Sequence, residues 1–337
     1  MAALLLKQQG YEVIGVYMKN WSQDLPGMPC PWKDDFTDAK RVAVQLGIDF
    51  KMYDFEKEYR HKVVDYMIRE YKAGRTPNPD IMCNQEVKFK LFLETALKDG
   101  ADMIATGHYA QVKDGKLLTA KDVDKDQTYF LYRISKEALG KVIFPLGDLA
   151  KQEVKEIAKK HGLVSASRKE SMGICFVGKV GIKDFLSQYV KPKQGDIVNR
   201  QGETIGHHDG AIFYTIGQRH GLQVGGGLPY YVVGKSIKKN EIYVTTDLQD
   251  EKLWSNRFKL TAMHWINLPP THYPLHTISI RIRHQAKLIP AKRLFPRSNL
   301  GNKQWVVVLE EEVRALTPGQ SAVFYSGDKV LGGGIVV

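Results

Sequence analysis

Cysteine is scarce in this chain. Three occur among 337 residues, at positions 30, 83 and 175, which excludes a disulfide framework and leaves no CxxC pair. In a reducing cytoplasm, where we expect this protein to work, thiols that matter are reactive more often than structural. No apolar run reaches the ~20 residues that cross a bilayer. The opening MAALLL is too short for the apolar centre of a signal peptide and has no basic residues before it. Internal repeats and low-complexity linkers are missing too, so the domains are expected to pack against one another. Acid is in deficit: 37 Asp+Glu face 49 Lys+Arg, a formal charge of +12. Such an excess suits a polyanionic partner, because basic side chains release counterions from phosphates. A solvated basic surface explains the charge equally well.

What is present is an ordinary globular mixture, 43% apolar and 26% charged, in a chain long enough for two or three domains. Strand and helix signals alternate over the first 165 residues or so. YEVIGVYM (11–18), IDFKMYDF (48–55) and ADMIATG (101–107) read as strands, and 34–47, 56–73 and about 81–98 read as helices. That alternation predicts a parallel sheet covered on both faces, with ligands beyond the carboxyl ends of its strands. From 181 onward, short glycine-punctuated strands take over. Runs at 258–266, 277–284, 304–311, 320–327 and 329–337 predict a small antiparallel barrel. GGGLPYYVVG reads as a hairpin rather than a phosphate loop, since no strand-to-helix switch surrounds it.

Cys83 follows TPNPD, where Pro77 and Pro79 fix the backbone just before a helix. Asp80 stands where an N-cap would, with Cys83 at the third helical position. There the positive end of the helix dipole favours thiolate, and residues three apart share a face. On these residues alone, Asp80 reads more simply as a plain cap and Cys83 as small apolar filler; a second cysteine changes that balance. Cys175, in KESMGICFVGK, lies between Gly173 and Gly178, which would let the backbone bend close to a substrate. Two such thiols suit sulfur transfer: one carries a persulfide, the other attacks to liberate the sulfur, and a disulfide remains. His207, His208 and Asp209 have no further partners at metal-site spacing and read as a solvated turn, so no metal site is expected. Cys30, between two prolines, reads as incidental.

The segments GVYMKNW, YKAGRTPNPDIMCNQEVKFK, ADMIATGHYA, DKDQTYFLY, GICFVG, YTIGQRHGL, PGQSAVFY and LGGGI, in this order, resemble the tRNA-specific 2-thiouridylase family over essentially the whole chain. The resemblance implies an adenine-nucleotide α-hydrolase-like (Rossmann-like) parallel-sheet domain over 1–180. It also implies a small central domain over 181–250 and a C-terminal antiparallel β-barrel that binds tRNA over 251–337. It implies ATP-dependent exchange of the wobble uridine C2 oxygen for sulfur, with Mg2+ accompanying the ATP. The implied partners are the tRNA anticodon loop and a sulfur-donor persulfide carrier, and the protein is expected to be a monomer. Carried over by position, Cys83 matches the nucleophile, Cys175 the persulfide bearer and Asp80 the acid/base. Asn78, Pro79 and Asp80 match the segment touching the target base, and Met18 and Gly107 the ATP pocket. His108, Lys125, Asp126, Gln127, Arg283, His284 and Gln320 match tRNA contacts, although the family often has an aromatic residue at the position of His284. Beside it, RIRHQAKLIPAKRLFPR, with Arg281, Arg283, Lys287, Lys292, Arg293 and Arg297, reads as a phosphate-binding stripe or as a solvated strand face.

The family's phosphate loop, SGGxDS, does not occur in these residues. Two expectations follow: the coding start lies upstream, or the chain is a non-catalytic tRNA-binding remnant. From other classes, an RNA-binding protein would keep the basic barrel without needing both thiols. An adenylating ligase of the same fold would not need the cysteine pair either.

Overall fold

A computed structural model describes residues 1–24, 29–164, 181–222, 224–225, 227–266, 272–297 and 304–337. The first region alternates as expected. After α1 (Ala2–Gln8) come β1 (Ile14–Lys19), α2 (Trp32–Leu46) and β2 (Asp49–Asp54). In α2, Asp34 and Asp35 complement the positive end of the helix, and Gly47 closes it in the left-handed conformation at φ 59°. β1 and β2 run parallel, with Met18 opposite Tyr53. A second parallel pair joins β3 (Ile104–Ala105) to β6 (Val142–Ile143), so the strand expected over 101–107 is only two residues long.

Two long helices lie between these pairs. α3 covers 56–72 and α4 covers 79–98, and each is interrupted by π-helical turns, at Arg60–Val64 and Asn84–Phe92 respectively. Their inner faces, with Val63, Val64, Met67, Ile81 and Val87, form an apolar core shared with Tyr129 and Tyr132. The same core continues into Ile242 and Val244 of the central region and Val323 and Tyr325 of the barrel. The regions are therefore packed together through apolar side chains.

The central region is a four-stranded sheet in the order β8 (Thr204–His208), β7 (Gly195–Val198), β10 (Glu241–Thr245), β9 (Tyr231–Ser236). β9 and β10 form the expected hairpin. His207 is exposed and pairs with Asp196 at 2.9 Å. His208, however, is only 4% exposed and accepts a hydrogen bond from the Gly210 backbone. The solvated turn expected at 207–209 is thus half an interior position, because alternation along β8 turns successive side chains to opposite faces.

The C-terminal region closes on itself. β11 (Trp254–Trp265), β14 (Gln304–Arg314), β13 (Ile289–Arg297), β12 (Ile278–Arg281), β15 (Ser321–Ser326) and β16 (Lys329–Val336) are adjacent in that order, and β16 pairs back with β11. Closure removes the open edges. β13 has no clear strand signature because Pro290 and Pro296 interrupt it, yet both sit at paired positions. A hairpin from the first region, β4 (Gln111–Lys113) and β5 (Lys116–Leu118), adds to β16 through Leu118. The LGGGI motif has a packing reason: a Cβ on Gly333 would come within 2.8 Å of the Tyr132 ring and 2.5 Å of the Ala322 carbonyl.

Candidate active site and nucleic-acid interface

The turn before α4 is where the three regions meet. The Thr76 amide donates to the Pro318 carbonyl at 2.8 Å, and its hydroxyl lies 3.2 Å from that of Thr215 in the central region. Gly319 has φ +93°, and a Cβ there would sit 2.8 Å from the Thr76 nitrogen. Arg75 stiffens the approach by a two-pronged bond to Glu70, at 2.6 and 2.8 Å. The motifs RTPNPD, YTIGQ and PGQ, far apart in the chain, are therefore one structural unit.

The helix cap differs from the sequence expectation. Asn78, not Asp80, caps α4: its side-chain oxygen accepts from the amides of Asp80 and Ile81 at 3.1 and 3.3 Å. Pro79 takes the first helical position, where a missing N–H costs nothing. Asp80 is therefore second and Cys83 fifth in the helix, beyond the turn over which the dipole acts strongly. Cys83 is 3% exposed and packs in the main core, which Met18 also joins. Asp80 is partly buried, and burial raises its carboxyl above the usual range, with Lys88 opposing. Cys175 lies outside the described residues.

Gly107 and His108 follow β3, at a carboxyl end as expected for a ligand-binding position. Gly107 is exposed. His108 shares a 2.7 Å hydrogen bond with Thr106 and packs between the rings of Phe89 and Phe144. Burial, followed by the charge of Lys88, holds its imidazole well below 6.5. Gln127 clamps the next residue. Its side-chain oxygen accepts from the Tyr109 amide at 3.0 Å, and its own amide donates to the Tyr109 carbonyl at 2.9 Å.

The segment 124–133 ties this site to the barrel. Asn84 donates to the Phe130 carbonyl at 3.0 Å, and the Phe130 ring lies 4.5 Å from that of His284. Tyr129 donates to the Ser321 carbonyl at 2.8 Å, and Gln285 to that of Asp124 at 2.8 Å. Burial keeps His284 below the usual histidine value. Arg283 donates to Gln320 at 3.2 Å and also to the Ala315 carbonyl, and burial lowers its guanidinium from the ordinary value. Lys125, Gln127, Arg283, His284 and Gln320 are all partly exposed.

Asp126 and Arg281 depart from the expected RNA-facing arrangement. Asp126 is 2% exposed and accepts from Ala120, Thr128 and Arg281, the last at 3.0 Å. Arg281 is 7% exposed and lies over the Tyr325 ring. The basic stripe therefore loses Arg281 to an interior ion pair, and Lys287 is engaged with Glu311 at 2.9 Å. Lys292 and Arg293 are exposed.

Sequence reasoning missed Asn84, Phe130 and Lys88. All three lie within segments that carry the family resemblance, but nothing in those segments assigns them a role, because the Asn84–Phe130 bond is made across 46 residues. Among the described residues, no group of three or more His, Cys, Asp or Glu is placed to hold a metal ion. Nor is any helix there long and apolar enough to cross a membrane.

Three family models match in series: tRNA methyl transferase HUP domain over 1–179, tRNA methyl transferase PRC-barrel domain over 183–246, and aminomethyltransferase beta-barrel domain over 255–336. The tRNA-specific 2-thiouridylases MnmA of Bacillus velezensis and Geobacillus thermodenitrificans are each 46% identical to this chain, and that of Bacillus subtilis 45%. Each match covers 100% of this chain and 91% of the relative. The chain belongs to the tRNA-specific 2-thiouridylase family. For this 2-thiouridylase family member, the expected architecture holds: a HUP domain, a small PRC-barrel domain and a six-stranded barrel.

Proposed function

We propose that the protein replaces the C2 oxygen of the wobble uridine in tRNA with sulfur, using ATP. What supports this reading is identity of 45–46% over the whole of this chain with relatives named as 2-thiouridylases, together with a buried cysteine one helical turn beyond the TPNPD segment. The matching models carry methyl-transfer names, whereas the relatives that cover the whole chain are named for 2-thiolation.

In the proposed reaction the uridine O2 attacks the α-phosphorus of ATP, and pyrophosphate leaves. Cys83 thiolate attacks the inner sulfur of a persulfide on Cys175, a disulfide forms, and hydrosulfide is freed. Hydrosulfide then attacks C2 as the bond to AMP breaks, and a thiol reductant resets the disulfide. Asp80, raised by burial, holds a proton closer to neutrality than a solvated carboxyl and serves as the acid/base. Asn78 and Pro79 present the turn to a base swung out of its stack. Met18 and Gly107 border the nucleotide.

On this reading His108, Lys125, Gln127, Arg283, His284 and Gln320 meet the tRNA, while Asp126 anchors their loop from beneath. The HUP, central and barrel domains are assigned to 1–180, 181–250 and 251–337. Magnesium would arrive on the ATP phosphates, and a persulfide carrier would load Cys175. We assign the protein to the cytoplasm, as a monomer.

The test incubates unmodified tRNA with the protein, ATP and a persulfide donor, then quantifies 2-thiouridine by nucleoside mass spectrometry. Cys83→Ser and Cys175→Ser should each abolish thiolation while tRNA affinity stays. Unchanged thiolation in either variant defeats the reading. Because no SGGxDS occurs in these residues, ATP binding is measured separately. Salt-sensitive tRNA binding without sulfur incorporation would support a non-catalytic tRNA-binding protein instead.

A further inference from the structure

Several arginines and lysines around the barrel are already neutralised. Arg281 pairs with Asp126, Lys287 with Glu311, and Arg200 of the central region with Asp250 at 3.0 Å. Arg314, the last residue of β14, is not. It is partly exposed, and its guanidinium carbon lies 4.7 Å from the centre of the Tyr231 ring on β9. Its Nε is buried without an acceptor. Among the described residues, no carboxylate pairs with this guanidinium and no acceptor takes a hydrogen bond from it. The ring therefore holds the group at the boundary between barrel and central sheet without consuming its donors.

The next residue brings a second arginine to the same place. Ala315 is left-handed at φ 55°, an uncommon conformation for a residue with a Cβ and one that concentrates at functional sites. In that conformation its carbonyl accepts from Arg283 Nη2, and from the Thr317 hydroxyl at 2.9 Å. Its own Cβ packs on the central loop, where a Cβ added to Gly217 would come within 2.4 Å of it. Two arginines thus converge on Ala315, one through the chain and one through a hydrogen bond. Neither has an ion-pair partner among the described residues. Like charges gathered without a counter-ion repel, and a bound anion would relieve that repulsion. The seam runs on to the base-binding turn, since Thr215, two residues before Gly217, meets Thr76 at 3.2 Å and Pro318 accepts from the Thr76 amide.

We propose that Arg314 joins Arg283 in a phosphate clasp at the seam between central sheet and barrel, gripping the tRNA backbone beside the base that enters the Asn78 turn. The proposal rests on the tRNA reading above and extends the RNA interface to the central domain through Tyr231. Arginine suits the task, because its planar fork matches two phosphate oxygens at once. Such a contact carries no sequence information; it fixes where the backbone lies while the base swings out.

The test measures binding of unmodified tRNA over a salt series for wild type, Arg314→Gln, Arg314→Lys and the double variant Arg283→Ala/Arg314→Gln. Arg314→Gln should weaken binding about tenfold and lower the salt slope by about one ion. Arg314→Lys keeps the charge and should keep the slope, whereas the double variant should lose about two ions. An unchanged slope in Arg314→Gln overturns the proposal. If its unfolding stability falls while the slope holds, Arg314 only fastens the two domains, and the clasp is wrong. Arg314→Met, which keeps an apolar stem over Tyr231, repeats the comparison if Arg314→Gln loses its circular-dichroism signal. Wild type that thiolates tRNA while Arg314→Gln keeps its full slope sinks the clasp alone. Wild type that makes no 2-thiouridine, with the slope lowered in Arg314→Gln, sinks the thiolation reading and upholds the clasp.

Discussion

Arg281 and Arg283 stand two residues apart at the end of β12, in the same basic run, yet their surroundings differ. Arg281 is sealed between Asp126 and the Tyr325 ring. Arg283 is partly exposed, and its partners are neutral: Gln320, Thr317 and a backbone carbonyl. A charge neutralised in the interior holds two domains together. A charge held by neutral acceptors keeps its field for a phosphate. One stretch of positive sequence thus serves both cohesion and recognition.

The largest effect should come from the sealed side. Asp126→Ala leaves Arg281 buried and unpaired, and should cost about 3–5 kcal/mol in denaturant-induced unfolding. A cost near zero would mean that the pair does not hold the barrel to the first domain. On the open side, Arg283→Ala should weaken tRNA binding about tenfold and reduce its salt slope by about one ion. Its cost in stability should be smaller than that of Asp126→Ala. If the two variants lost stability equally, the contrast would collapse.

Asn78→Ala removes the cap of α4 and should destabilise by about 1 kcal/mol. It should also slow thiolation, because the base-binding turn loosens.

The smallest effect concerns pH. His108, His208, His264 and His284 are all held below 6.5, in each case mainly by burial. The unfolded chain takes up their protons first, so stability is present above about pH 6.5 and is lost as pH falls through that value. Asp80, raised by burial, works in the opposite sense, but nearer the carboxylate range. Thermal unfolding followed from pH 7.5 to 5.5 should show a falling midpoint, less steep in His284→Gln. A midpoint that rises over this range contradicts the assignment of neutral buried imidazoles.

The order of elements was legible because hydrophobic period and turn residues are local properties. Helices expected over 34–47 and 81–98 appear at Trp32–Leu46 and over 79–98. The bounds of β13 were not legible within the basic run read as a stripe or strand face, since Pro290 and Pro296 look like strand breakers until the neighbouring strand is in place. The cap was misread by two positions because Asn and Asp are equally good caps, and only the fixed φ of Pro79 decides between them. Burial of Asp126 and Arg281 was not legible, because each is charged in a charged run and meets its partner across 155 residues. The π winding of α4 was not legible either, since nothing in CNQEVKFK announces it.

The account stands on the wobble base reaching the Asn78–Cys83 turn while the barrel edge at Arg283 and Gln320 holds the anticodon stem-loop. A tRNA with a photoreactive uridine at the wobble position, irradiated in complex with the protein and mapped by peptide mass spectrometry, tests this directly. The predicted result is crosslinking within residues 76–88. Crosslinks confined to the central sheet or to the outer strands of the barrel would contradict it.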